Sequence, residues 1–356
     1  MALTGNRLNG NNILDNSTWF WHHVLTMNKE PKTLQEAIVY FSNSDNCRDY
    51  LVARRWPEGV TCPRCGSNKV LHQPKYNRWQ CSSHHAQIED KRRQFTLKTG
   101  TIFEDSALGL DKWLCAMWML ANCKNGVSSW EIHRAIGISQ KSAWFMLQRL
   151  RLALQDEETG GKLSGHVEID ETFIGGKARN MHKEALARRV AEFSTPRTGR
   201  NQTTGKVAVM GLLQRHGHVR TMVVAGTKRH HLHSRVIDNV EAGSHVYTDA
   251  LRSYNQLGDQ YTHNVINHAE RYVDGNVHTN GLENFWSCLK RTIGGTYVSV
   301  EPFHLFRYLD EQSFRFNNRE TNDANRFDRA VSKIVGKRLT YAEVTGKDPD
   351  ARKLSH

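Results

Sequence analysis

The chain has no apolar run long enough to cross a bilayer. The longest candidate, Trp113 to Ala121, is less than half the ~20 residues a spanning helix needs. Cysteine is sparse: seven among 356 residues, an odd number unevenly spread. That pattern excludes a disulfide framework and fits a reducing compartment with a metal site. The first residues, MALTGNRLNG, lack the charged-then-apolar pattern of a secretory leader, so a cytoplasmic protein is expected. No internal repeat is visible. Acidic residues are in the minority, 36 Asp and Glu against 49 Lys and Arg, for a net charge of +13. The excess is clustered: Arg54 to Arg93 holds nine basic and three acidic residues, and Lys177 to Arg235 thirteen and two. Such clustering suits a polyanion, and nucleic acid is the commonest one in the cytosol. A 38% apolar share with nine Trp excludes a wholly disordered chain and is enough for two or three cores at roughly 100–200 residues each.

Along the chain, Thr33 to Trp56 reads as one short amphipathic helix, with Thr33 as N-cap and Leu34, Ile38 and Phe41 at helical spacing. Residues 60–100 carry Cys, Pro, Gly and short alternating runs. Leu110 to Arg151 is strongly helical. From His166 the pattern turns α/β: HVEIDETF and SHVYTDA read as strands, and KVAVMGLLQ with VRTMVVAG as a hairpin around Arg215-His216-Gly217. Lys177 to Gly205 has weak periodicity and reads as a basic insertion or mobile loop.

Cys62-x2-Cys65 is followed after fifteen residues by Cys81-x2-His84, the spacing of two facing zinc knuckles. Three thiolates and an imidazole in tetrahedral array favour Zn2+, and four protein ligands make the ion structural. His85 is within reach of the fourth place as well. The surrounding Arg64, Lys69, Lys75, Arg78, Trp79, Arg92 and Arg93 make this module basic and aromatic, suited to DNA. Further on, Trp130–Ile136, the turn Gly137-Ile138-Ser139 and a longer helix from Gln140 to Leu152 form a helix-turn-helix pattern. In it Gln140, Lys141 and Ser142 face base edges or phosphates, while Trp144, Leu147 and Leu150 pack inward.

Three carboxylates complete the set. Glu168, Asp170 and Thr172 share one face of the first strand, Asp249 ends a later strand, and Glu283 lies in a helical run from His278 to Arg291. Clustered carboxylates repel and call for cations. Hard oxygen donors select Mg2+ or Mn2+, and two such ions suit in-line phosphodiester displacement.

HVEIDETFIGGK, HVYTDALRSY and VHTNGLENFWSCLKRTIGGTYVSVEPFHLFRYLDEQSFRFNNR resemble the zinc-ribbon insertion-sequence transposases of the DDE class, bacterial relatives of the Merlin elements. RRWPEGVTCPRCGS and FTLKTGTIFEDSALGLDKW resemble the same family, and the likeness runs over roughly residues 33 to 320. It implies an α/β ribonuclease-H-like catalytic domain preceded by a zinc ribbon and a helix-turn-helix. It also implies binding of terminal inverted repeats in double-stranded DNA, metal-dependent strand cleavage and transfer, and a homodimer or higher oligomer on DNA at the nucleoid. By this resemblance Asp170, Asp249 and Glu283 are the catalytic acids, and Lys290 and Arg291 contact DNA. The chain departs from the family where His84 replaces the usual fourth cysteine. Asn280 is a rival or auxiliary to Glu283. The expected organisation is an N-terminal helical segment (1–57), zinc ribbon (58–103), helix-turn-helix (104–158), catalytic domain (162–320) with the insertion 177–205, and a tail (321–356). A non-catalytic regulator and a nuclease without strand transfer are the alternative readings.

Overall fold

Thr33 opens the first helix, α1 (Leu34–Phe41), its side chain accepting the amide of Glu36. The helix expected to reach Trp56 stops here. Asn43 accepts the amides of Asp45 and Asn46 and so caps a second helix, α2 (Ser44–Arg55). A side chain that competes for backbone donors favours a new helix start over continuation. The buried face of α1 is Ala37, Tyr40 and Phe41; Leu34 and Ile38 are exposed. The computed structural model describes residues 30–85, 92–155, 161–176, 178–192, 204–266 and 278–347. These residues fall into two compact units that divide between Leu114 and Cys115.

In the first unit, β1 (Val70–Gln73), β2 (Arg78–Cys81) and β3 (Gln94–Phe95) form an antiparallel sheet in that order. Asn77, with φ +45°, makes the tight return between β1 and β2. Trp79 is buried against Phe95 and Trp56, with ring centroids 6.0 and 5.7 Å away. Arg55, at the end of α2, donates to the carbonyls of Leu97 and Thr99 at 2.6 Å each. The aromatic cluster and this guanidinium fasten α2 to the ribbon.

The boundary between the units falls within α3 (Leu110–Asn122). In the second unit, Ser128 and Glu131 make a reciprocal capping box at the start of α4 (Ser129–Ile136), which ends at Gly137 with φ +62°. Ser139 then caps α5 (Gln140–Leu154) by accepting the amide of Ser142. Leu147 and Leu150 are buried as expected, and Trp144 is half-buried against His304.

The centre of the second unit is a five-stranded mixed sheet. Its strands are β4 (His166–Ile174), β5 (Val207–Gln214), β6 (Val219–Val224), β7 (His245–Asp249) and β8 (Thr262–Ile266), in spatial order β6-β5-β4-β7-β8. β5 pairs antiparallel with β4 and β6, whereas β7 runs parallel to β4 and β8. Helices cover both faces. Val167, Ile169, Met210 and Leu212 meet α7 (Arg229–Asn239) in one cluster. Val207, Val209 and Leu213 meet α8 (Asn280–Arg291) and α9 (Leu305–Asn317) in the other. Part of the stretch 177–205, expected as a basic insertion or mobile loop, is helical: α6 (Lys183–Glu192), KEALARRVAE, is built mostly of strong helix formers. Residues 193–203 lie outside the described residues. Among the described residues no helix is long and apolar enough to cross a membrane.

Candidate active site and metal centre

Strand parity decides what β4 offers each side of the sheet. Glu168 and Asp170 face α8, and Glu171 faces the opposite side, where Tyr254 Oη donates to its carboxylate. β4 and β7 run in parallel with His166 opposite His245 and Glu168 opposite Tyr247. Asp170 and Asp249 each follow two residues after the last of these pairs, toward the carboxyl ends of the strands, where open α/β sheets hold their ligands.

Two glycines let α8 approach this edge. A Cβ at Gly211, the partner of Asp170 on β5, would lie 2.6 Å from Trp286 Cζ2 and 2.9 Å from Leu282 Cδ2. One at Gly281 would lie 2.4 Å from Leu213 Cδ2 and 2.8 Å from Glu168 Oε2. Through these gaps Trp286 Nε1 donates to Asp170 Oδ2 at 2.9 Å, and the amide of Leu282 donates to Glu168 Oε2 at 3.1 Å. Glu168 is buried and ion-paired with Arg215, Nε to Oε1 at 3.0 Å. Arg215 in turn donates to the carbonyl of His278 at 2.7 Å and stacks over Tyr247. Glu168 therefore accepts at the first turn of α8, the turn that carries Glu283.

Electrostatics mark the same place. Burial pushes the Asp170 carboxyl up to about 6; Asp249 adds to the push and Glu283 contributes further, against the Glu171 amide and the Trp286 indole. Burial, then Asp170 and Asp249, push Glu171 up to about 9. Asp249 and Glu283 thus both act on Asp170, although among the described residues the three acids do not form one tight cluster of oxygens. Among the described residues only Cys62, Cys65, Cys81 and His85 form a group whose ligand atoms all lie within 4.8 Å of one another. Asn280 is exposed at the first position of α8, and Lys290 and Arg291 are exposed in its last turn. Glu168, Glu171, Arg215 and Trp286 were not singled out as site residues by sequence. The parity of HVEIDETF already set Glu168 on the face of Asp170; the partners from β5 and α8 carried no local signal.

At the metal centre His85, rather than His84, takes the fourth place. His84 is exposed, whereas His85 is buried and lies among the thiols, its Nε2 3.8 Å from Cys62 Sγ. His85 Nδ1 sits 3.1 Å from the carbonyl of Arg92, which turns Nε2 toward the sulfurs. Cys65 and Cys81 Sγ are 3.6 Å apart. Burial raises the Cys81 thiol, but hydrogen bonds from His85 and the Ser83 amide outweigh it and bring it to about 7. Three soft sulfurs and an imidazole fit Zn2+. Of the expected DNA contacts here, Arg93 donates to the carbonyls of Cys81 and Ser82, while Arg92 lines a cavity with Arg64, Arg78 and Lys98, opposed by Glu104 and Asp105. In the helical pair, Gln140 donates to Ser129 Oγ at 2.9 Å and Lys141 lies over the Tyr341 ring.

Residues 162–317 match the ISXO2-like transposase domain and residues 42–87 the transposase zinc-ribbon domain. A "transposase-like protein" of Haemophilus influenzae is 34% identical over 103 residues, 29% of this chain and 83% of the relative. The chain belongs to the ISXO2-like transposase family. A protein in transposable element ISH50 of Halobacterium salinarum is 28% identical over 281 residues, 76% of this chain and 90% of that one. No solved structure matches the chain. The zinc-ribbon match includes α2 and the four metal-centre residues. The transposase match includes the five-stranded sheet, Asp170, Asp249 and the helix of Glu283.

Proposed function

We propose that this transposase binds the ends of its element and cuts and rejoins DNA at the edge of the sheet shared by Asp170, Asp249 and Glu283. The observation that carries the reading is the parallel pairing of β4 with β7, with Asp170 and Asp249 each two residues past its last pair and Asp249 raising the Asp170 carboxyl, together with the first turn of α8 held to β4 by Glu168. Strand order β6-β5-β4-β7-β8 with one antiparallel hairpin supports a ribonuclease-H-like core. Mutually repelling carboxylates offer hard oxygen donors, and Asp170, Asp249 and Glu283 would hold Mg2+ or Mn2+. Bound there, divalent ions supply an activated oxygen nucleophile and charge for the leaving oxygen. The chain's own contribution is orientation: the Trp286 indole holds Asp170, and Glu168 with Arg215 holds α8.

The zinc ribbon, with Arg92, and α4–α5 as a helix-turn-helix, with Gln140 and Lys141 at the start of α5, would read the inverted repeats. Lys290 and Arg291 would meet phosphate. Pairing two element ends calls for a dimer or larger assembly. The test incubates the protein with Mg2+ and a labelled duplex carrying one element end. Cleavage is expected, lost on chelation and in Asp249→Ala. Undiminished cleavage by Asp249→Ala overturns the assignment.

A further inference from the structure

A cavity of about 470 Å³ opens beside α8, within the second unit. Its walls include Lys124, Asn125, Asn284, Arg315, Arg319 and Arg326. Among the described residues no carboxylate lines it. Asp323 and Glu320, which pair with Arg326 at 3.0 Å and Arg319 at 3.6 Å, stand outside the lining.

The charge behind this wall is unbalanced. Glu311 is fully buried and answers two buried guanidinium groups, Arg151 on α5 at 2.7 Å and Arg315 one turn along α9. It also accepts from Tyr297 Oη, a neutral donor, at 2.5 Å. Arg151 is otherwise flanked by the rings of Tyr297 and Tyr308. The trio therefore holds one more positive charge than negative, in a place where an uncompensated charge is costly. Arg315 also donates to Gln312 and to the carbonyl of Leu120, yet its Nε has no hydrogen-bond partner. Arg315 is the member of the trio that reaches the cavity. An anion there would offset the surplus and meet Lys124, Arg319 and Arg326 at once, with the amides of Asn125 and Asn284 as neutral donors.

We infer that this cavity binds a phosphate of the DNA backbone and so holds a strand against the outer face of the helix that carries Glu283. The inference rests on the proposed DNA-cutting function for its ligand, but it concerns binding alone. A phosphodiester suits the site because its two non-bridging oxygens, which share one negative charge, can accept from a fork of guanidinium and ammonium donors. A free phosphate ion shares that chemistry, and the experiment separates the two.

The full-length protein is titrated with a short labelled duplex of arbitrary sequence across a salt series, without divalent ions. In Lys124→Ala/Arg319→Ala the slope of log affinity against log salt is expected to shrink by about 0.9 for each DNA phosphate that is no longer neutralised, with severalfold weaker binding at physiological salt. The control Lys162→Ala/Lys347→Ala, which removes two exposed charges elsewhere, keeps the wild-type slope. Asn125→Asp, an isosteric change at an exposed wall position, weakens DNA binding without altering the melting curve. Wild-type slopes in both cavity variants overturn the inference. So does a cavity that responds only to inorganic phosphate, with the phosphate-induced rise in melting temperature abolished in the double variant while DNA affinity is unchanged. Asp249→Ala runs in parallel: if it still cuts, the functional proposal fails while the salt slopes judge the cavity separately.

Discussion

Trp286 Nε1 donates to Asp170 Oδ2 at 2.9 Å, joining the middle of α8 to the carboxylate at the centre of the sheet edge. The bond favours the ionised acid, against burial and against Asp249, which together push Asp170 up to about 6. Replacing Trp286 by Phe keeps an aromatic ring in the packed layer and removes the donor. Asp170 should then hold its proton to higher pH. The expected result is weaker Mn2+ binding near pH 6 and a smaller difference near pH 8, read by titration calorimetry at both values.

Glu171 makes stability depend on pH in a predictable direction. Its carboxyl moves from 4.5 to about 9 on folding, because it is buried beside Asp170 and Asp249. Between those values the folded chain keeps a proton that the unfolded chain has released. Stability is therefore fully present below about pH 4.5 and is lost as pH rises toward 9, with a limiting slope of about 1.4 kcal/mol per pH unit. Glu171→Gln keeps the shape and removes the proton exchange. Urea unfolding of the metal-free protein at pH 5, 7 and 9 should show a marked decline for the wild type and a flatter line for the variant. Parallel declines would refute this role.

Arg215 neutralises Glu168 and carries the carbonyl of His278. Arg215→Ala leaves a buried carboxylate without its cation, a change that typically costs ~3–5 kcal/mol. Arg215→Ala/Glu168→Gln should recover much of that stability, because the unpaired charge is gone. Denaturant midpoints of the two variants decide it; equal midpoints would mean the ion pair is incidental.

For the metal centre, the geometry separates adjacent histidines. His85→Ala should lose the bound zinc and, with it, the order of the three-stranded ribbon. His84→Ala should retain it, since His84 is exposed. Metal content by atomic absorption, together with protection of the ribbon amides from hydrogen exchange, distinguishes the two.

Local sequence was enough for the elements whose causes are local. The alternation in HVEIDETF, the hairpin at Arg215-His216-Gly217 and the Ser139 cap of α5 all appear where the residues indicated. Each depends on side-chain parity or a turn of a few residues. The grouping of Cys62, Cys65 and Cys81 was legible for the same reason. The break at Asn43 and the helix Lys183–Glu192 turned on weaker local competition, between a capping side chain and helix continuation and between propensity and an irregular composition.

What the chain could not declare by itself is which groups meet across long separations. Which of two neighbouring histidines turns inward followed from the packing of the ribbon, where His85 Nδ1 meets the Arg92 carbonyl and its Nε2 the thiols. That Glu168 holds the start of α8 followed from Gly281 and Gly211 allowing a close approach between segments far apart in sequence. The surplus charge of Arg151, Glu311 and Arg315 exists only because α5 and α9 bury their polar groups against each other. Periodicity records which side of an element is apolar. Burial, pairing and the resulting shifts in proton affinity belong to the packed molecule, because they depend on distances that only the tertiary fold sets.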